Sequence, residues 1–274
     1  MKVTLKMERN PKIDVTDKPY ISNPFLLLNP TFEAFGIMAI EFLKLLGISI
    51  LVYLAVCIPA IIGGISIASN KANGPAIGLI ALSVLLFIVA AIYLSYPFYK
   101  MSLAAARGIV LPWKKSLPAS FAQAWGLAWT AGLVGLVVIF GIFAFIVPGV
   151  FFILWYSQAQ FVAVEEGIYG LAAMRRSKLL VKNRLMDTAG IYGMNQLTQI
   201  TSNIPGLGSL ITLAYAILSL PLAPIRYIQL TQLTETDRTS FPTSKWNYAL
   251  FFIPGILLVV TIIIFAVTAA QKHA

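Results

Sequence analysis

Apolar positions run along this chain in long blocks separated by short polar patches, and the blocks have the length of membrane crossings. Five windows hold no charged residue: 45–70, 72–99, 116–164, 188–225 and 246–271. About 20 apolar residues carry a helix across a bilayer core. The first, second and fifth windows therefore each predict one crossing. The third is 49 residues long. A straight helix of that length would reach about 74 Å, against a hydrocarbon core of ~30 Å. It must fold back, and Pro148–Gly149 is the predicted turn, because Pro lacks the helical N–H and Gly permits the bend. Helices over 126–147 and 149–165 follow. The fourth window, of 38 residues, is predicted to break at Pro205–Gly206. Its second half, 209–225, reads as a span. Its first half carries Asn195, Gln196, Thr198, Gln199 and Asn203, so it is expected to pack inside the bundle or to stop short of a full crossing.

The blocks also suggest a repeat. Mildly amphipathic segments at Thr31–Leu46, Ser116–Trp129 and Ile168–Leu185 each lead into a long helix, a turn and a returning helix. The returning ends read YPFYKMSLAAARG, WYSQAQFVAVEEG and IRYIQLTQLTE, and Gly108 and Gly167 stand 59 residues apart. Self-similarity at fixed spacing points to stacked equivalent units. The expected fold is all-α: a polytopic transmembrane helical bundle of three helical-hairpin repeats, each led by an amphipathic interfacial helix, plus one C-terminal span. The expected divisions are a cytosolic tail over 1–30, a six-helix membrane domain over 31–235 (units 31–108, 109–167 and 168–235), and a linker with the last span over 236–274.

Charge supplies the orientation. Of 20 Lys and Arg residues, 17 fall in the tail, in 100–115, in 175–184 and after the fourth window. Lys71 and Lys272 fall opposite. Such asymmetry marks the basic side as cytosolic. Seven crossings then put the N-terminus inside the cytoplasmic membrane and the C-terminus outside. The polar, mixed-charge start at residues 1–20 reads as a cytosolic tail rather than a secretory signal.

Composition narrows the chemistry. Hydrophobic residues make up 59% of the chain and charged residues 11%, against roughly 25% charged in soluble domains. The net charge of +10 would suggest nucleic acid in a soluble protein, but here topology accounts for it and nucleic acid is not an expected partner. The single histidine, His273, and the single cysteine, Cys57, leave no His-based catalytic pair and no internal disulfide. The window 246–271 holds no lysine for a retinal Schiff base.

At 146–185 the sequence reads IVPGVFFILWYSQAQFVAVEEGIYGLAAMRRSKLLVKNRL. With Pro148-Gly149, Glu166-Gly167, Ala172-Ala173, Arg176-Ser177 and Lys182-Asn183-Arg184 in these places, it resembles the membrane domain attached to some bacterial glycerophosphodiester phosphodiesterases and related multi-pass bacterial membrane proteins. The resemblance covers 31–235 loosely and 146–185 well. It implies six helices in three hairpins and no catalysis, since the chemistry of those enzymes belongs to a soluble barrel for which this chain has no room.

Three groups of residues could carry function. Arg175, Arg176, Lys178, Lys182 and Arg184 could hold anionic lipid headgroups, or serve topology and helix-end electrostatics with Glu165 and Glu166. The amides Gln158, Gln160, Asn195, Gln196 and Gln199 could line a polar path, or bond between helices. Glu41 and Lys44 are spaced to pair on one helix face, with Glu33 nearby. The aromatic residues near span ends, including Trp125, Trp129 and Trp155, suit an interfacial belt. The expectation is a non-enzymatic membrane protein without cofactors, with membrane lipids as partners and a second membrane protein as a further candidate. The alternative is a carrier of a small or lipidic solute.

Overall fold

The computed structural model describes residues 20–69, 74–144, 146–201, 208–233 and 242–253. Among them the chain is helical throughout, without strands. The helices are α1 (Leu28–Ala68), α2 (Gly74–Ala106), α3 (Trp113–Ser116), α4 (Phe121–Ala144), α5 (Ile146–Tyr156), α6 (Ala159–Glu166), α7 (Leu171–Val181), α8 (Leu185–Thr201), α9 (Gly208–Leu218) and α10 (Leu222–Gln232). A last helix, α11, occupies 245–253. A single 3₁₀ turn, Lys182–Arg184, joins α7 to α8.

The core lies at one end of the bundle, the end that carries the basic loops. On α1 the buried positions Thr31, Ala34, Met38, Phe42, Leu45 and Ser49 recur every three or four residues, the period of one helical face. They meet Met101 and Leu103 of α2, Phe161 and Val162 of α6, Leu180 of α7, Ile191 of α8 and Ile225 and Ile228 of α10. Beyond residue 49, α1 packs along α2. There the Ser83 hydroxyl donates to the Val56 carbonyl, and a Cβ on Gly63 would stand 2.6 Å from the Ala76 carbonyl oxygen. The flanks of this pair are bare: Leu51, Leu54, Ile58, Ile62 and Ile65 are exposed, as are Phe140 and Phe143 on α4.

Four stretches are long and apolar enough to cross a membrane among the described residues: Leu28–Ala68, Pro75–Ala106, Phe121–Ala144 and Thr212–Gln232. Only 11% of the most apolar window of α1 is buried, at a mean hydropathy of 2.7. An uncovered surface of this kind belongs in lipid, and the chain is a helical membrane protein.

Several boundaries differ from the sequence pattern. α4 ends at Ala144 and α5 begins at Ile146, so Pro148 and Gly149 sit in the first turn of α5. Proline fits there because first-turn N–H groups have no helical partner. Gly149 serves close approach instead, since its Cβ would lie 2.9 Å from the Ile142 Cα. The expected single helix over 149–165 is broken at Ser157–Gln158. The amphipathic lead Thr31–Leu46 does not form a separate helix but runs unbroken into α1, 41 residues in all. The segment assigned to a tail up to residue 30 is folded in from residue 20 onward, with Leu27 fully buried. The Glu41–Lys44 pair forms at 2.5 Å, and the other Glu41 oxygen accepts the Trp113 backbone N–H at 3.0 Å. The expected turn at Pro205–Gly206 lies outside the described residues.

Candidate functional site

Three features at or near the basic end could carry function: the outer face of α7, a buried carboxylate, and a cavity between helices.

The placement of α7 begins with two glycines. Gly167 ends α6 at φ 68° and Gly170 precedes α7 at φ 64°, left-handed values that side-chain-bearing residues disfavour. The Gly170 N–H donates to Thr130 Oγ1 at 2.7 Å, fastening the turn to α4. The inner face of α7, with Ala173, Met174, Ser177, Leu180 and Val181, is buried. Ser177 repairs the α5–α6 break: its hydroxyl donates to the Trp155 carbonyl at 2.7 Å and accepts the Gln158 N–H at 3.1 Å. Both backbone groups would otherwise be orphans of the broken ladder.

The outer face of α7 mixes cations and leucines. Arg175, Lys178 and Lys182 are exposed beside Leu171 and Leu179. The Lys178 ammonium lies 4.4 Å over the Trp155 ring. Arg176 is drawn to Glu166 at 3.2 Å, and Glu166 also accepts the Tyr227 hydroxyl at 3.1 Å. Glu165 turns away to a bidentate pair with Arg107, at 2.7 and 3.1 Å. Arg184 does not belong to this surface. It is buried, with its Nη1 3.4 Å from Asp187 Oδ2, because the 3₁₀ turn rotates it inward. The predicted five-residue basic cluster thus separates into three outward cations, one cation paired at the surface and one buried.

Asp187, in the first turn of α8, is the centre of the buried group. Its Oδ2 accepts the Tyr20 hydroxyl at 2.5 Å, and its Oδ1 accepts the Ser22 hydroxyl at 2.7 Å and the Asn247 amide at 2.7 Å. Asn247 Nδ2 also lies 3.0 Å from the Ser22 carbonyl oxygen, and the Ser244 N–H donates to Ser22 Oγ at 2.8 Å. One carboxylate therefore ties the segment before α1, the start of α8 and α11 together. The Tyr20 ring lies between two guanidiniums, 4.9 Å from Arg184 Cζ and 5.1 Å from Arg226 Cζ. Burial, reinforced by the Asp187 charge and hydrogen bond, pushes the Tyr20 phenol well above its ordinary value, against the opposing pull of Arg226. It therefore remains a donor at physiological pH. Close contact at Gly190 and Gly193 seats α11: a Cβ there would come within 2.2 Å of Asn247 Oδ1 and 2.0 Å of the Leu250 carbonyl oxygen.

A cavity of about 440 Å³ opens between α1, α2, α6, α8 and the α9–α10 region. Met38, Phe42, Phe98, Phe161 and Leu220 supply its apolar wall, and Ser95, Tyr99, Ser102, Asn195 and Ser219 its polar positions. Of the five amides predicted to act together, Asn195 lines this space among those with described side chains, and its Oδ1 accepts the Tyr215 hydroxyl at 3.0 Å. Gln158 is buried elsewhere, its amide nitrogen 3.2 Å from Ser157 Oγ. Gln160 is half-buried on α6. Gln196 and Gln199 lie on α8, with side chains outside those described.

Asp187, Tyr20, Ser22, Arg226 and Asn247 do not stand out in the sequence pattern. One signal was available: Arg184 and Asp187 are three positions apart, the spacing of neighbours on a helix face. Nothing local links either to residues 20–22 or to Asn247. Compared with family models, curated proteins and solved structures, the chain matches none of the three.

Proposed function

We propose that this protein is a non-enzymatic membrane domain that organises anionic phospholipid at its basic end, through the outer face of α7. The observation that carries the reading is the side-by-side exposure of Arg175 and Lys178 with Leu171 and Leu179 on a helix whose other face is buried, continued by the exposed Lys182 in the 3₁₀ turn that follows. A helix seated in the headgroup layer needs both: leucines for the acyl boundary and cations for lipid phosphates. In this reading the basic end faces the cytosol, and the chain lies in a cytoplasmic membrane as three helical-hairpin units and a last span, with the N-terminus inside and the C-terminus outside. The resemblance of 146–185 to a phosphodiesterase membrane domain agrees with a lipid-facing role that needs no catalysis of its own. A second membrane protein docking on the same face is the companion proposal.

The test is lipid co-purification and vesicle binding of the full chain with Arg175, Lys178 and Lys182 all changed to Gln. Each charge near the surface contributes about 1 kcal/mol of attraction to an anionic leaflet. The triple variant should release anionic lipid, and the difference should shrink with added salt. Unchanged anionic lipid in a folded triple variant rejects the proposal.

The cavity favours a second reading, that of a carrier. A space of about 440 Å³ with a mainly apolar wall and a few hydroxyls fits a small amphipathic or lipidic solute better than an ion.

A further inference from the structure

At the basic end the hydrogen-bonding capacity of the Arg226 guanidinium is only partly used among the described residues. Arg226 is completely buried. Its Nη1 donates to the Ile21 carbonyl at 3.0 Å and lies 3.4 Å from Gln229 Oε1. Among the described residues its Nε and Nη2 have no hydrogen-bond partner, and neither has the Gln229 amide nitrogen. Nε and Nη2 share one edge of the planar group, and their N–H bonds point the same way. That edge is the fork that grips a carboxylate or phosphate bidentately. Asp187 does not fill it, because its oxygens take Tyr20, Ser22, Asn247 and Arg184. Buried cations without a counter-charge are strongly unfavourable, and the fork and the amide of the neighbouring Gln229 are both donors without an acceptor among the described residues.

We propose that the Nε–Nη2 edge of Arg226, with Gln229 beside it, is an oxyanion site that takes a phosphate group. A phosphate offers up to two negative charges and three acceptor oxygens, enough for the fork and the amide together. Chloride cannot use the fork's geometry. The half-exposed Tyr20 ring stacks on this guanidinium, so a ligand enters by lifting 20–22 away. The phosphate comes from a lipid headgroup or from solution. The site is separate from the outer face of α7, and the two ideas fail separately.

The experiment is thermal melting of the purified full chain in detergent. One arm adds inorganic phosphate, another adds phosphatidic acid to the micelles, and both are compared with chloride at matched ionic strength. A concentration-dependent rise of the midpoint is expected in at least one arm. A rise with inorganic phosphate identifies a soluble source, and a rise with phosphatidic acid alone identifies a lipid. Arg226→Lys keeps the charge and loses the fork, so its apparent affinity should fall about tenfold or more. Gln229→Glu places a carboxylate beside the guanidinium and should abolish the response while melting no lower than the parent. It decides the matter if Arg226→Lys fails to fold. The α7 triple Gln variant should keep the response. The proposal is overturned if neither additive exceeds chloride, if Gln229→Glu responds like the parent, or if the α7 variant loses the response.

Discussion

The Tyr20 hydroxyl donates to Asp187 Oδ2 at 2.5 Å, joining the approach to the first helix to the start of α8 across 167 positions of chain. With Ser22 and Asn247 on the other oxygen, the carboxylate holds three segments that share no sequence neighbourhood. Buried polar groups of this kind strengthen a fold only when their partners are complete, so removing the carboxylate should be felt in all three segments at once.

Asp187→Ala should destabilise the protein by about 3–5 kcal/mol, the range for breaking a buried ion pair from one side. It removes the acceptor of three neutral donors and the carboxylate beside Arg184. Melting in detergent should fall sharply, and limited proteolysis should cut near residues 20–27 before it cuts α1. A variant that melts like the parent with an uncut N-terminal segment would show that the carboxylate does not hold it.

The ionisation of Tyr20 gives a pH signature with a definite sign. Its phenol is raised above the ordinary value of about 10. The stabilising contribution is therefore fully present below pH 10. It is lost as pH rises from there towards the folded value, where the unfolded chain ionises and the folded one resists. Tyr20→Phe removes this slope. The melting temperature of the parent should fall faster than that of Tyr20→Phe above about pH 10. Parallel curves would contradict a buried, carboxylate-bonded phenol.

Gly193 and Gly132 make a matched pair. A Cβ at Gly193 would collide with the α11 backbone at 2.0 Å, whereas a Cβ at Gly132 meets nothing within 4 Å. Gly132→Ala should be neutral or stabilising by about 0.5–1 kcal/mol, the helix-propensity gain. Gly193→Ala should destabilise by about 1–3 kcal/mol, as overpacking does. The check is the melting temperature of the two variants side by side. Equal shifts would mean that α11 is not seated on α8.

The cavity separates the two functional readings. Asn195→Leu removes the acceptor of the Tyr215 hydroxyl and should lower stability by about 0.6–2 kcal/mol. Ala223→Phe fills space at the cavity wall and leaves that bond intact. If the protein organises lipid without carrying solute, Ala223→Phe should leave lipid co-purification unchanged. Flux of amphipathic solutes into liposomes should be absent in parent and variant alike. Parent flux that Ala223→Phe abolishes, with melting unchanged, would make the carrier reading the better one.

Much of the fold was legible along the chain, for a plain reason. A bilayer imposes its thickness on every crossing helix, so charge-free blocks near 20 residues declare themselves whatever their neighbours. The helical character of 45–69, 74–99 and 121–144, the doubling back inside 116–164, and the Glu41–Lys44 pair all rest on such local rules. The exact breaks do not. Pro148 is as comfortable in the first turn of a helix as at its end, and only the packing of Gly149 on Ile142 selects the former. The sequence could mark 175–184 as basic, but not that Arg184 turns inward while Arg175, Lys178 and Lys182 stay outside, because that depends on a 3₁₀ turn and on where Asp187 lies. The buried group was least legible of all. Tyr20, Ser22, Asp187, Arg226 and Asn247 are ordinary polar residues in sequence, and the contacts that join them exist only after the segment before α1 has met α8, α10 and α11. Local physics settles which segments enter the membrane, whereas the partners of a buried charge are decided by tertiary contacts, since desolvation makes each such group depend on whatever the fold brings within 3 Å.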